Sequence, residues 1–221
     1  MALRDFLIAP REAARPDEAL ARGRLRLGRP RRPEDAALVA SLGVLANARD
    51  LPAIAVAAGI VIARRSPAAL VCLHAAGGER STAPLRAPAR AAPARLAASL
   101  RARGLAADAR GRIAAVELAG DGSDAAAAAA RALAAGTLPT VIGVAVRDPD
   151  MDGLLAAQDA ILVALPPSTD AALAELTVAS AARLGRVASI PVTLDPASRA
   201  LAVAGLRAPR VVRGAVEELV S

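Results

Sequence analysis

Short, almost uninterrupted aliphatic runs alternate with longer Ala-rich segments from residue 38 onward, and this alternation restricts the fold more than any other feature of the chain. The runs are Leu38–Ala46, Ala69–Ala75, Ile113–Ala119, Thr140–Val146, Ala160–Leu165 and Arg186–Val192. Apolar nearly throughout, they suit strands buried on both faces of a parallel sheet. Between them, Leu51–Arg65, Pro93–Arg103, Ser123–Ala135, Asp150–Gln158 and Asp170–Leu184 read as helices. Strands alternating with helices predict βαβ units with right-handed crossovers. The expected fold is therefore α/β: a doubly wound, mainly parallel sheet with helices on both faces. Leu38–Ala46, Ala69–Ala75 and Thr140–Val146 are expected near its centre.

The expected helix ends carry the right chemistry. Asp50 precedes Leu51 and Pro52, an N-cap followed by a proline in the first turn. Ser123 and Asp124 open an alanine run that Gly136 follows, and Asp170 opens a helix for Gly185 to end in a left-handed turn. Residues 1–35 differ in kind. Pro10, Pro16, Pro30 and Pro33 lie among Arg22, Arg24, Arg26, Arg29, Arg31 and Arg32, which reads as a basic N-terminal arm. Residues 36–221 read as one α/β domain with a mobile loop at about 77–93, where Gly77, Gly78, Pro84, Pro88 and Pro93 cluster.

Composition narrows the chemistry. Trp and Tyr are absent and Phe6 is the one phenylalanine, so the core must be built from small aliphatics. All 28 basic residues are Arg, and the formal net charge is +7. This permits contact with nucleic acid or anionic lipid through Arg22, Arg24, Arg26, Arg29, Arg31 and Arg32. No aromatic platform exists for base stacking, so that reading ranks below a protein partner or a homodimer. The N-terminus lacks the core of a signal peptide, and the longest apolar stretch, Leu51–Ala63, is shorter than the roughly 20 residues of a spanning helix. A cytoplasmic protein is expected.

Nucleophiles and metal ligands are scarce. Cys72 lies in Leu70-Val71-Cys72-Leu73, a setting for a buried structural thiol, and His74 is the one histidine. These exclude a disulfide within the chain, a CxxC site and a His-rich metal centre, and GxSxG is absent. No metal and no cofactor is expected. Ligands of doubly wound proteins sit beyond the carboxyl ends of the strands, so the loops there matter most. After the first run comes Asn47-Ala48-Arg49-Asp50, in which Asn47 and Arg49 can hold an anion at a helix N-terminus while Asp50 opposes it. After Val146, Asp148, Asp150 and Asp152 could offer oxygen ligands to Mg²⁺, but acids enriched at a helix start are the preferred account of them. Pro166-Pro167-Ser168-Thr169-Asp170 is a turn followed by a cap.

One resemblance runs through residues 38–195. The cadence Val39–Ala46, Asn47–Asp50, Leu51–Arg65 and Ala69–His74 resembles the opening of MinD/ParA-like ATPases: strand, phosphate loop, alanine-rich helix, strand. The run TVIGVAVRDPDMDGLLAAQDAILVALPPSTDAALAELTVA is similar to that family's Walker B strand, the following strand and its helix, with Gln158–Val163 standing where "AADxVLVV" would. The resemblance implies a three-layer sandwich of the P-loop NTPase-like or Rossmann-like kind. The chain departs from the family at the residues that define its chemistry. It has no GKGGxGKT-like loop and no lysine, and His74 stands where an aspartate is expected. Asp148 is the heir to the second acid, so Asn47, Arg49 and Asp148 are the candidates for a vestigial nucleotide site. Within the group, the localisation proteins of Tad-type pilus and secretion systems, TadZ and CpaE, look nearest. That resemblance implies a scaffold or positioning role without hydrolysis. Two other classes compete with it: a small-molecule or nucleotide-binding enzyme with a site at the strand ends, and a binder of nucleic acid or membrane surface acting through the arginine arm.

Overall fold

The computed structural model describes residues 41–75, 88–119, 138–146, 148 and 151–221. Among them are strands β1 (Ser41–Ala46), β2 (Ala69–Ala75), β3 (Ala106–Arg110), β4 (Ile113–Ala119), β5 (Thr140–Ala145), β6 (Ala160–Leu165) and β7 (Arg186–Pro191). The helices are α1 (Leu51–Ile62), α2 (Ala91–Ala102), α3 (Met151–Leu155), α4 (Ala171–Leu184), α5 (Pro196–Val203) and α6 (Arg210–Leu219). The strands form one sheet in the order β3-β4-β2-β5-β1-β6-β7. Every pairing is parallel except β3 with β4. The expected central strands, β2, β5 and β1, are the middle three.

Side chains alternate across the strands and build two cores. Leu42, Val44, Val71, Val141 and Leu162 share one with α1, α5 and α6. Leu45, Cys72, Val116, Ile142 and Ile161 share the other with α2, α3 and α4. Each fully buried Leu or Ile contributes about 2 kcal/mol, and an Ala much less, so this core depends on many small contacts. Sealed from water, the Cys72 thiol is pushed up to about 12 by burial. Thiolate is the reactive form, so labelling of the folded protein by a thiol reagent at pH 8 should be slow and limited by unfolding. Rapid stoichiometric labelling without denaturant would contradict this.

Helix α1 has no polar side, and ten of its twelve residues are buried. A helix apolar all round must be covered all round. The sheet covers one side; α5 and α6 pack against it from elsewhere. Glycine sets how closely it lies on the strands. A Cβ on Gly59 would stand 2.5 Å from Val71 Cγ2, and one on Gly143 of β5 would stand 3.1 Å from Ala55 Cβ.

Several expectations need correction. The helix expected over Leu51–Arg65 ends as an α-helix at Ile62, and Ala63–Arg65 tighten into a 3₁₀ turn. The helix expected from Pro93 begins at Ala91, so the last residues of the loop placed at 77–93 are helical. Of the expected helix Asp150–Gln158, Asp150 lies outside the described residues, and of the rest only Met151–Leu155 is helix, because the chain must turn to start β6 at Ala160. Strands β5 and β7 each stop one residue early, at Ala145 and Pro191. Gly185 does end α4, but with φ 179° it is extended rather than left-handed. Residues 1–40, 76–87 and 120–137, including the arm, most of the loop and the Ser123–Ala135 helix, lie outside the described residues.

Three elements were not expected at all. β3, with the sequence AADAR, is made of poor strand formers. It forms because Gly111, at φ 55°, lets a two-residue turn fold it back on β4. Two of its outward peptide groups are engaged locally: Ala109 N–H donates to the Asp108 carboxylate at 2.8 Å, and Arg101 donates to Ala107 O at 3.3 Å. The other two are α5 and α6. The Arg110 guanidinium donates to Val203 O at the end of α5. Just beyond, Gly205 sits at φ 75°, where a Cβ would meet Arg110 Cβ at 2.8 Å.

Candidate functional site

β1 and β5 lie side by side with their carboxyl ends level, as Val146 N–H donates to Ala46 O at 2.9 Å. The turn after β1 is tied by Asn47. Its carbonyl accepts from the amides of Asp50, at 3.2 Å, and Leu51, at 2.9 Å. Its side-chain oxygen also accepts from the Asp50 amide at 2.8 Å. Pro52 has no N–H to offer. Of the amides at the start of α1, which would cradle a phosphate, those of Asp50 and Leu51 are thus engaged inside the turn and position 52 has none.

Asp50 occupies the N-cap position but does not cap, since its carboxylate makes no bond to the first-turn amides. It accepts instead from Asn47 Nδ2 at 3.3 Å and from Arg199 Nε at 2.8 Å. Arg199, on α5, also donates to Leu194 O at 2.8 Å. The Asp50 side chain is 3% exposed and that of Arg199 is 21% exposed. A carboxylate and a guanidinium therefore fill the space beside the turn. Arg49, singled out above with Asn47 and Asp148, is exposed and joins no hydrogen bond to either.

Removing one member of such a pair strands the other away from water. Arg199→Ala should cost about 2 kcal/mol, a value below that of fully buried pairs because Arg199 is part-exposed. In a domain of this size that is a fall in Tm of about 4–8 °C. Asp50→Asn in the same background should restore part of it, and differential scanning calorimetry of the single and double variants reads both. An unchanged Tm in Arg199→Ala would show the pair to be ornamental.

Asp148 follows β5 and His74 is near the end of β2, the neighbouring strand. An Nδ1–H of His74 donates to Asp148 Oδ2 at 2.9 Å, and the two side chains are 4% and 0% exposed. The pair lies at the carboxyl ends of the strands, where an α/β protein places its ligands. The structure thus joins Asp148 to His74, and no hydrogen bond joins it to Asn47 or Arg49. Arg147 and Asp150 lie outside the described residues. Among the described residues no three His, Cys, Asp or Glu side chains are grouped to hold a metal. Asp159 serves the opposite end of the sheet, where its carboxylate accepts from the amide and hydroxyl of Ser41 and ties β1 to β6.

Sequence reasoning missed Arg199. Asp195 followed by Pro196 was the signal for a helix start there, and the Asp195 carboxylate does accept from the Ser198 amide at 2.9 Å. The pairing with Asp50, 149 positions away, left no local trace.

No protein-family model, curated protein or solved structure matches this chain. Among the described residues no helix is long and apolar enough to cross a membrane.

Proposed function

We propose that this chain is a non-catalytic, degenerate MinD/CpaE-like protein that acts in the cytoplasm as a scaffold or localisation factor, holding a protein partner in a Tad-type pilus or secretion assembly. The observation that carries this reading is the closed turn after β1. Asn47 engages the amides of Asp50 and Leu51, Pro52 lacks one, and the Asp50–Arg199 pair lies beside them. A phosphoryl-transfer site needs the reverse: free amides, a metal and a compact cation aimed at the phosphates. Arginine does not substitute simply for the missing lysine, because its planar fork is larger.

The finer reading of the fold is a P-loop NTPase-like sandwich. In the dinucleotide-binding order, 3-2-1-4-5-6, the first strand touches the second. Here β5 separates β1 from β2. That places the strand resembling the phosphate-loop strand beside the strand resembling Walker B, as a shared site between them requires. A small-molecule site at the strand ends is the second reading, and the buried His74–Asp148 pair is what favours it.

Purified protein with Mg²⁺ and ATP or GTP should release phosphate no faster than a blank. Nucleotide should leave the Tm unchanged, because a ligand that binds only the folded state raises it by mass action. Turnover abolished by both Arg49→Ala and Asp148→Ala would overturn the scaffold reading. The localisation half is tested separately by a fluorescent fusion in the native cell: discrete foci at the assembly site support it, and uniform fluorescence counts against it.

A further inference from the structure

Positive charge is spread unevenly over the chain, and α2 carries it unopposed. Between Glu79 and Asp108 the sequence has six arginines and no acidic residue. Four of them, Arg90, Arg95, Arg101 and Arg103, belong to α2 or its two ends. Among the described residues no carboxylate pairs with any of the four. Arg101 donates to Ala107 O, and the other three guanidiniums make no hydrogen bond or ion pair. Arginines elsewhere on the surface do find partners: Arg64 meets the Glu217 carboxylate at 3.0 Å, and Arg186 donates to Glu218 O at 2.9 Å.

Pro93, Ala97 and Leu100 hold α2 against β3 and β4. The opposite side is open. Arg95 stands at its middle, with Ala91 and Ala98 a turn to either side and Ala102 a turn further on, all of them exposed. Beside side chains this short, the guanidinium is the largest group on the face. Such a face does not suit a bilayer, because a helix lying in the lipid interface buries a broad apolar side. The large hydrophobics exposed among the described residues are Leu176, Leu206 and Val211, none of them on α2. Duplex nucleic acid fits little better. Binding that survives physiological salt draws on roughly 6–10 phosphate contacts, more than these four guanidiniums supply. A carboxylate carried on a protein helix matches the face. It takes an arginine fork bidentately, and alanines let two helix axes approach to about 8 Å.

We propose that the outer face of α2 is the docking surface for the protein partner, and that the partner lays across it a helical segment with an Asp or Glu against Arg95 and further acids toward Arg90, Arg101 and Arg103. This rests on the scaffold reading for the existence of a partner, and adds where and by what chemistry that partner is held. Arg95 is the anchor, enclosed on docking, while the flanking pairs stay wet at the rim and contribute little.

A photo-crosslinking amino acid at Ala98 of the full chain, expressed in its native cell, tests this. It should trap a protein at a segment of helical periodicity with an acid within one turn of the crosslinked residue. Arg95→Glu, an exposed change that should leave the Tm unaltered, should cut the crosslink about tenfold or more, because like charges then face each other. Arginine in place of the partner's acid should restore it. Arg183→Glu, the same charge change on exposed α4, should have no effect. Several results overturn the proposal: no crosslink, a crosslink to nucleic acid or lipid alone, a trapped segment without acids, or equal loss in Arg183→Glu. Fluorescent fusions keep the two readings apart. Foci that persist in Arg95→Glu strike the docking surface and spare the scaffold; uniform fluorescence of the parent with an Arg95-dependent crosslink strikes the scaffold and upholds the surface.

Discussion

His74→Ala should lower the stability of the folded protein by about 3–5 kcal/mol, among the largest effects expected of any single polar substitution here. The Asp148 side chain that accepts from His74 Nδ1 is fully enclosed, so deleting the ring removes a buried hydrogen bond and leaves a vacancy in the core. Truncation takes one hydrogen-bond partner from a carboxylate that has no contact with water. Equilibrium urea unfolding measures the loss, and the corresponding fall in Tm is about 6–20 °C. His74→Asn is the informative companion. Its amide nitrogen can stand near the position of Nδ1 and should recover a substantial part of the stability. Equal damage from both substitutions would mean that packing of the ring, not the bond to Asp148, is what the site needs.

Gly59→Val should cost about 3 kcal/mol or more, while Gly214→Ala, also within a helix, should stabilise by roughly 0.5–1 kcal/mol. The opposite signs follow from what surrounds each glycine. At Gly59 the first added carbon already falls 2.5 Å from Val71 Cγ2 and 3.3 Å from Ile113 Cγ2, and both neighbours are fully buried. Helix propensity favours the replacement of glycine by at most about 1 kcal/mol, too little to offset pushing α1 off the sheet. At Gly214 nothing lies within 4 Å, so only propensity remains. Unfolding curves of the two variants, each against the parent, give the comparison. Gly59→Val as stable as the parent would show that α1 lifts from the strands at little cost.

The central strands were legible because burial on both faces writes itself as unbroken aliphatic runs. β2, β4 and β6 begin and end at the residues expected of them. β3 was not legible. An edge strand answers to its neighbour and its turn, and the alternation Ala107-Asp108-Ala109-Arg110, though it packs Ala107 and Ala109 inward, is too short and too poor in strand formers to announce one. α6 had a readable stripe in Val212, Ala215, Val216 and Leu219, and α5 had its Asp195-Pro196 start, yet neither was expected, as the strand pattern ends at Val192. The site divides the same way. That the turn at Asn47–Asp50 lacks glycine and lysine is plain in the sequence. That Asn47 binds its amides, that Arg199 reaches Asp50, and that His74 meets Asp148 depend on which strands and helices become neighbours. Local patterns do not encode this.

The covering of α1 also has a consequence in time. The helix that needs shelter on every side is among the earlier elements made, and part of its shelter is made much later: Asp50 at its start and Arg199 on α5 are 149 positions apart. At translation rates of roughly 5–20 residues per second, that gap lasts on the order of ten seconds. For that interval the nascent chain carries an aliphatic helix without the α5 and α6 surfaces that cover it in the finished fold. Whatever shields emerging chains in the cell must supply the missing surface. The amount of protein recovered from expression should accordingly follow chaperone capacity and translation speed more closely than it follows the stability of the finished fold.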